Sequence, residues 1–378
     1  MTPPRGTETK SSRTPAAPSR AGVAAARTIA GMIGSHCSTA GGLYLAIEEA
    51  VALELDCVQI FTRSQRQWVA PPLTEETVRA WKAARTSAGW DDLPQRVVSH
   101  NSYLVNLAAP DETNRRKSIA LQRDELERCE ALGISFSVAH PGAHLCGSGG
   151  TPRAPRSPNL LRTPCSADEE EGLKTIARSL DTLHRELKGY RVITCLETTT
   201  GSGTNLGYDF AQLARIRALV QEPERVGFCL DTCHITSAGY DMSTERAARA
   251  TLDEFDSICG KRSLFVIHIN DSKSPGGSRI DRHEHIGLGT CGEACFAAVL
   301  RDPDLTLVPK ILETAKEAHE NGRPWDAVNS ERLRSILSGP AKGADRDGPL
   351  ARRARGTAAH GSAGRTTSRT KRGNGKDD

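Results

Sequence analysis

From residue 32 to residue 338, short β-rich apolar runs alternate with longer stretches whose apolar residues recur every three or four positions. Strands of a parallel sheet are buried on both faces and read as compact apolar runs, while the helices covering them show one apolar stripe, so this alternation predicts repeated βα units. Eight runs are present: 32–38 (MIGSHCS), 56–62 (DCVQIFT), 96–102 (RVVSHNS), 135–141 (SFSVAHP), 191–198 (RVITCLET), 226–234 (VGFCLDTCH), 264–271 (LFVIHIND) and 307–314 (LVPKILET). Eight units in about 300 residues predict an α/β fold, a closed (β/α)8 TIM barrel. Helical patterns fill the gaps, among them 43–53, 74–88, 116–132 and 167–187. Ser166 and Glu169 have the spacing of a capping box ahead of the last of these.

Three segments do not share the pattern. Residues 1–27 and 341–378 are rich in Pro, Ser, Thr, Ala, Gly and Arg with almost no large apolar side chains, so they are expected to be disordered extensions of a barrel domain spanning 28–340. The N-terminal stretch sets five basic residues against Glu8, a composition shared by organelle transit peptides and solvated basic tails. Residues 146–165 (CGSGGTPRAPRSPNLLRTPC) are a low-complexity insertion after the fourth run, expected to form a mobile surface loop.

Charge changes this picture. The net +4 of the chain conceals +4 on residues 1–27 and +6 on residues 341–378, which leaves −6 on the barrel domain. An acidic body repels a polyanion unless bound cations reverse the sign locally. Hydrophobic residues make up 37%, and no apolar run approaches the ~20 residues that span a bilayer, so a membrane protein is not expected. Eleven cysteines, an odd number without a CxxC pair, do not form the framework of a small secreted domain. They point to a reducing intracellular compartment: nucleus or mitochondrion in a eukaryote, cytoplasm in a bacterium. Cys229 with Cys233 and Cys291 with Cys295 lack the spacing of a zinc knuckle and read as core or surface thiols.

Metal-type side chains gather at the ends of the runs. His100 ends the third, His140 the fourth, Glu197 the fifth, Asp231 and His234 the sixth, His268 the seventh and Glu313 the eighth, while Asp281 and His283 follow in the loop after the seventh. C-terminal strand ends of a barrel converge on one mouth, where such folds do their chemistry. One metal takes roughly four to six ligands, so nine fit two or three ions. Mixed His/carboxylate ligation favours zinc over manganese or iron and disfavours calcium. Metals held roughly 3.5–4 Å apart activate a water and stabilise a departing oxygen in phosphoryl chemistry. Any one of these residues alone would read as a hydrogen-bonded rim residue. Four carboxylates together, without counter-charge, call for cations. His36, His144 and His285 lie near the same mouth, as candidates for supporting the ligands or contacting phosphate.

Two loops suit a polyanion. Arg63, Gln65, Arg66, Gln67 and Trp68 (RSQRQW) follow the second run, and Tyr103–Leu104 follow His100. Basic, amide and aromatic groups contact phosphates and enter base stacks, although a solvated loop with a packed Trp has the same composition.

Residues 32–338 resemble the endonuclease IV family of apurinic/apyrimidinic (AP) endonucleases. The matching motifs, in order, are GSHCSTAGG (34–42), FTRSQRQW (61–68), HNSYLVNL (100–107), HPGAH (140–144), LET with GSGTNLG (196–207), CLDTCHITSAGYD (229–241), HINDSK (268–273), GSRIDRHEHIG (277–287) and KILET (310–314). The resemblance implies three zinc ions, with manganese as a substitute. His100 and His140 would share one with Glu197, which is expected to bridge as the catalytic carboxylate. Asp231, His268 and Glu313 would serve the second, and His234, Asp281 and His283 the third. It also implies hydrolysis of the phosphodiester 5′ to an abasic site in duplex DNA, trimming of blocked 3′ ends, a monomeric state, and contact of Arg66, Tyr103 and Leu104 with the opened duplex. The chain departs from the family pattern in its insertion, its two tails and Thr198, where an Asn is usual. Two rival readings remain: a metal-dependent sugar isomerase or epimerase of the same barrel superfamily, which needs neither the His234/Asp281/His283 group nor the RSQRQW loop, and a non-catalytic DNA-binding scaffold.

Overall fold

The structure, a computed structural model, describes residues 31–146 and 166–339. The expected tails, 1–27 and 341–378, and residues 147–165 of the insertion lie outside the described residues. All eight apolar runs contain a barrel strand: β1 (Ile33–His36), β2 (Cys57–Ile60), β3 (Val97–His100), β4 (Phe136–Ala139), β5 (Ile193–Glu197), β6 (Val226–Asp231), β7 (Leu264–His268) and β10 (Lys310–Leu312). They pair in parallel and close in the order β1-β10-β7-β6-β5-β4-β3-β2. Between β7 and β10, β8 (Asp271–Ser272) and β9 (His283–Glu284) form a separate antiparallel pair.

Side chains alternate across each strand, and the barrel turns that period of two into depth. Val98, Val138, Cys195, Cys229, Val266 and Ile311 fill the interior together with Met32, Cys57 and Phe136. Two residues further along the same inward rows come His100, His140, Glu197, Asp231, His268 and Glu313. The intervening positions, such as Leu196, Leu230, Ile267 and Leu312, face the other way and pack under the helices.

After α1 (Leu43–Ala52), which has no side-chain cap, several helices begin where short polar side chains satisfy their first N–H groups. Thr74 caps α2 (Glu75–Ser87), and Asp111 caps α3 (Glu112–Leu132), which therefore starts four residues before the apolar periodicity does. Ser166 and Glu169 form the reciprocal capping box of α4 (Ala167–Glu186), and Asp209 caps α5 (Phe210–Leu219). The sixth run is shorter as a strand than its sequence reads. The Asp231 carboxylate accepts the backbone N–H of His234 at 2.7 Å and starts the short helix α6 (Thr232–Ala238) immediately after β6. His234 is thus carried on a helical first turn rather than on a strand.

Closure constrains Gly34 on β1. A Cβ there would meet Cys57 Sγ at 2.6 Å and the Cys57 carbonyl carbon at 2.7 Å, on the neighbouring strand. Gly34→Ala is expected to lose about 1–3 kcal/mol in urea unfolding, the usual penalty for overpacking. An unchanged midpoint would show that the strands can separate freely at this point.

Candidate metal centre

The inward rows place Glu197 at the centre of the mouth, 1% exposed. Its two oxygens face different groups. Oε2 lies 3.2 Å from His100 Nε2 and 3.1 Å from His140 Nε2. Oε1 lies 2.9 Å from His268 Nδ1 and 3.2 Å from His234 Nδ1. His268 Nδ1 is also 3.0 Å from Glu313 Oε2 and 3.9 Å from Asp231 Oδ2. On the far side His234 Nε2 approaches Asp281 at 3.1 Å, and His283 Nε2 lies 3.4 Å from Asp281 and 3.5 Å from Asp231. All nine metal-type residues singled out from the sequence therefore meet at one mouth.

The geometry fits cations better than hydrogen bonds. Nε2 of His234 and of His283 are buried and make no hydrogen bond among the described residues, although each lies near carboxylate oxygens. Close approach without alignment is what ligands of a shared ion show; bonds of ~2.0–2.1 Å to a tetrahedral ion put its donors about 3.3 Å apart. His100, His140 and Glu197 form one group whose ligand atoms lie within 4.8 Å of one another, and Asp231, His234 and His283 form another.

Tautomers are set from behind. His100 Nδ1 donates to the Asn101 carbonyl at 2.8 Å, His234 Nδ1 to that of Thr198 at 2.8 Å, and His283 Nδ1 to that of Glu313 at 3.3 Å. Each bond leaves Nε2 with its lone pair toward the centre. Asn270 donates to Asp231 Oδ2 at 2.8 Å and accepts the Glu313 N–H at 2.8 Å. Thr198, the departure from the family pattern, accepts the Asp231 N–H with its hydroxyl at 2.9 Å.

The three further histidines separate. His36 joins the centre through Gln59, whose Nε2 lies 3.1 Å from its Nδ1. His285 stacks on Trp325 at 3.7 Å and meets Asn329. His144 sits in the loop after β4 beside Cys146 and Asp168, apart from the nine. Gln59 itself, fully buried, donates to Glu313 at 2.7 Å and receives His268 Nε2 at 2.9 Å. Sequence reasoning passed it over because an amide is not a metal-type ligand. Its signal was its phase: it stands two residues after the inward Cys57.

The mouth loops differ in what their side chains are free to do. Arg63 is committed to Asp124 and to the Gln67 carbonyl, which pins the loop, whereas Arg66 is exposed. Tyr103 is 62% and Trp68 44% exposed, while Leu104 packs partly against the core. A cavity of about 300 Å³ opens beside His100 and His140, lined also by Asn101, Tyr103, Thr199 and Asn205.

Fold and centre together define a TIM barrel with a metal-ready mouth, and the family model described as Xylose isomerase-like TIM barrel matches residues 47–336. The chain is 38% identical over 304 residues to a probable endonuclease 4 of Trichlorobacter lovleyi, covering 80% of this chain and 99% of that one. It is 39% identical over 306 residues to a probable endonuclease 4 of Chloroflexus aurantiacus, covering 81% and 98%. Among solved structures, endonuclease IV from Thermus thermophilus matches with a TM-score of 0.65 and 33% identity over 81% of this chain and 98% of that one. A D-tagatose 3-epimerase-like protein, with a TM-score of 0.55 and 18% identity over 81% and 97%, shares the fold. The chain belongs to the endonuclease IV family of AP endonucleases, which are DNA-cleaving hydrolases. Among the described residues no helix is long and apolar enough to cross a membrane.

Without cations, protons hold the centre together. Burial opposes charge on His100, His234 and His268, yet the surrounding carboxylates overcome it and raise all three, His268 to about 9. Burial likewise opposes ionisation of Glu197 and Asp281, but neighbouring histidines hold Glu197 well below its usual range and bring Asp281 to about 2. The carboxylates stand ready to ligate, whereas the histidines must first give up protons. Metal uptake by the stripped protein is therefore expected to release protons and to tighten as pH rises towards about 9. Calorimetry in buffers of different ionisation enthalpy measures the release; uptake with no net release would contradict this account.

Proposed function

We propose that this chain hydrolyses the phosphodiester 5′ to an abasic site in duplex DNA, leaving a 3′-hydroxyl and a 5′-deoxyribose phosphate. Three zinc ions are held by the nine residues, with manganese as a substitute. The observation that carries this reading is the split of Glu197, one oxygen toward Nε2 of His100 and His140 and the other toward His268 Nδ1, an arrangement that would suit a carboxylate shared between two ions. Asp231, His268 and Glu313 serve the second ion, and His234, Asp281 and His283 the third. When bound, the ions supply an activated water for in-line attack on phosphorus and positive charge for the departing 3′-oxygen.

The protein's own part is selection and orientation. A nucleotide without its base unstacks at little cost, and the cavity beside His100 and His140 would receive the extruded sugar. Tyr103 and Leu104 enter the gap left in the stack, and Arg66 holds the backbone in register. A blocked 3′ end presents the same bond to the same mouth, so 3′-end trimming accompanies incision. The catalytic unit is the barrel domain 28–340, working as a monomer in a reducing compartment, in keeping with the free thiols among the described residues. A sugar isomerase has no use for the third ligand group or for an exposed Arg66 and Tyr103 at its mouth.

The test is an end-labelled duplex carrying one tetrahydrofuran abasic analogue, beside an undamaged duplex, with no added magnesium. Lesion-specific incision is expected, reduced by about 10²-fold or more in Glu197→Gln, because the amide is uncharged and sets an NH2 group, which cannot ligate a cation, in place of one carboxylate oxygen. Absence of incision by fully metallated protein would remove the endonuclease reading for this chain.

Arg66→Ala should weaken binding alike on lesion-bearing and intact DNA and lower the slope of log K against log salt by about 1. A weakening confined to the lesion, with the slope unchanged, would place Arg66 at the extruded sugar instead.

A further inference from the structure

Three of the ligand histidines, His100, His234 and His283, are oriented by main-chain carbonyls. His268 is not. Its Nδ1 faces Glu197 and Glu313, and its Nε2 meets the side-chain oxygen of Gln59 at 2.9 Å. The amide can be oriented without ambiguity. The Glu313 carboxylate only accepts, so the atom 2.7 Å from it is the Gln59 NH2 group, and the atom facing His268 is the Gln59 carbonyl oxygen. That oxygen also only accepts, so His268 Nε2 keeps its proton and Nδ1 becomes the ligand nitrogen. The second N–H of the amide points at His36 Nδ1, 3.1 Å away. Both N–H groups of this fully buried amide and its oxygen are thus engaged, and its register is fixed by β2, where it pairs with His36 on β1 and Val98 on β3.

We infer that Gln59 is the positioning residue of the second ion, setting the tautomer of His268 and the rotamer of Glu313 together through the two ends of one amide. This rests on the metal-centre reading above, but not on the identity of the DNA lesion. Unlike a backbone carbonyl, this orienting group can be changed by substitution, and only one of the three ligand groups depends on it. Gln59→Leu removes both ends and leaves His268 free to take the other tautomer. Gln59→Glu keeps an oxygen for His268 Nε2–H but sets a second carboxylate against Glu313.

The experiment is stepwise chelator competition on zinc-loaded wild-type, Gln59→Leu and Gln59→Glu proteins, together with thermal unfolding and incision kinetics on the abasic duplex. Expected for Gln59→Leu is one zinc loosened by about 10–100-fold, the range seen when groups behind metal ligands are removed, with the other two unchanged. Gln59→Glu is expected to loosen the same single ion, by repulsion rather than by loss of orientation. Uniform loosening of all three ions in step with a lowered unfolding temperature would show that Gln59 only packs, and would overturn the inference. So would three unchanged affinities in both variants. Because affinity is read without DNA, either result stands apart from failure of the incision assay, which would instead tell against the proposed reaction.

Discussion

Glu197 and Asp231 are carboxylates with at most 1% exposure, and Glu313 and Asp281 complete a set of four around the barrel axis. Among the described residues no arginine or lysine pairs with any of them, and the groups that answer their charge are histidines. Buried charge of one sign is tolerated only when opposite charge arrives with it, as protons or as metal ions. The centre is thus built to exchange one for the other, and much of the surrounding structure serves to keep the carboxylates in place against their mutual repulsion.

Polar side chains and one helix cap do that work. Asp231 is held by its own helix, since its carboxylate caps α6, and from behind by Asn270 and by Thr198. Glu313 is fixed through its N–H on Asn270 and its side chain on Gln59. Asn270, just past β7, therefore ties a carboxylate at the end of β6 and one at the end of β10 to a common amide, and a shift of either strand would disturb both. This explains how a mouth assembled from six separate strand ends, a helix start and one loop can be held to ligand geometry: the barrel closure fixes the strands, and a thin layer of amides and hydroxyls fixes the side chains.

Much of this was legible in the sequence because the barrel repeats one rule. An apolar residue inside the barrel is followed two positions later by a polar residue at the mouth, as in Val98 and His100, Cys195 and Glu197, or Ile311 and Glu313. Repetition of that rule revealed the strand count and six of the nine ligand-type residues together, while His234, Asp281 and His283 lie outside it. The rule also contained Cys57 and Gln59, but an amide carries no metal-ligand signature, so only its contacts reveal what it does. His234 was legible as a ligand-type residue but not as a helical one, because whether a strand continues past Asp231 depends on a cap formed in three dimensions. The loop histidines were the least legible. His144 and His285 share the mouth in sequence with His36, yet loop conformation turns one toward Cys146 and the other onto Trp325, and no periodicity encodes that.

The charge of the barrel domain bears on how such a centre would meet DNA. A net −6 over residues 28–340 opposes a polyanion, so approach is favoured where the sign is locally positive. The RSQRQW loop offers one, and even there Arg63 is spent on Asp124, leaving Arg66 exposed. The other is the mouth itself, whose sign depends on whether its carboxylates have gathered cations. A metal-free barrel would thus lose attraction for the substrate together with its chemistry. A loaded one would concentrate that attraction at the mouth, beside the cavity next to His100 and His140.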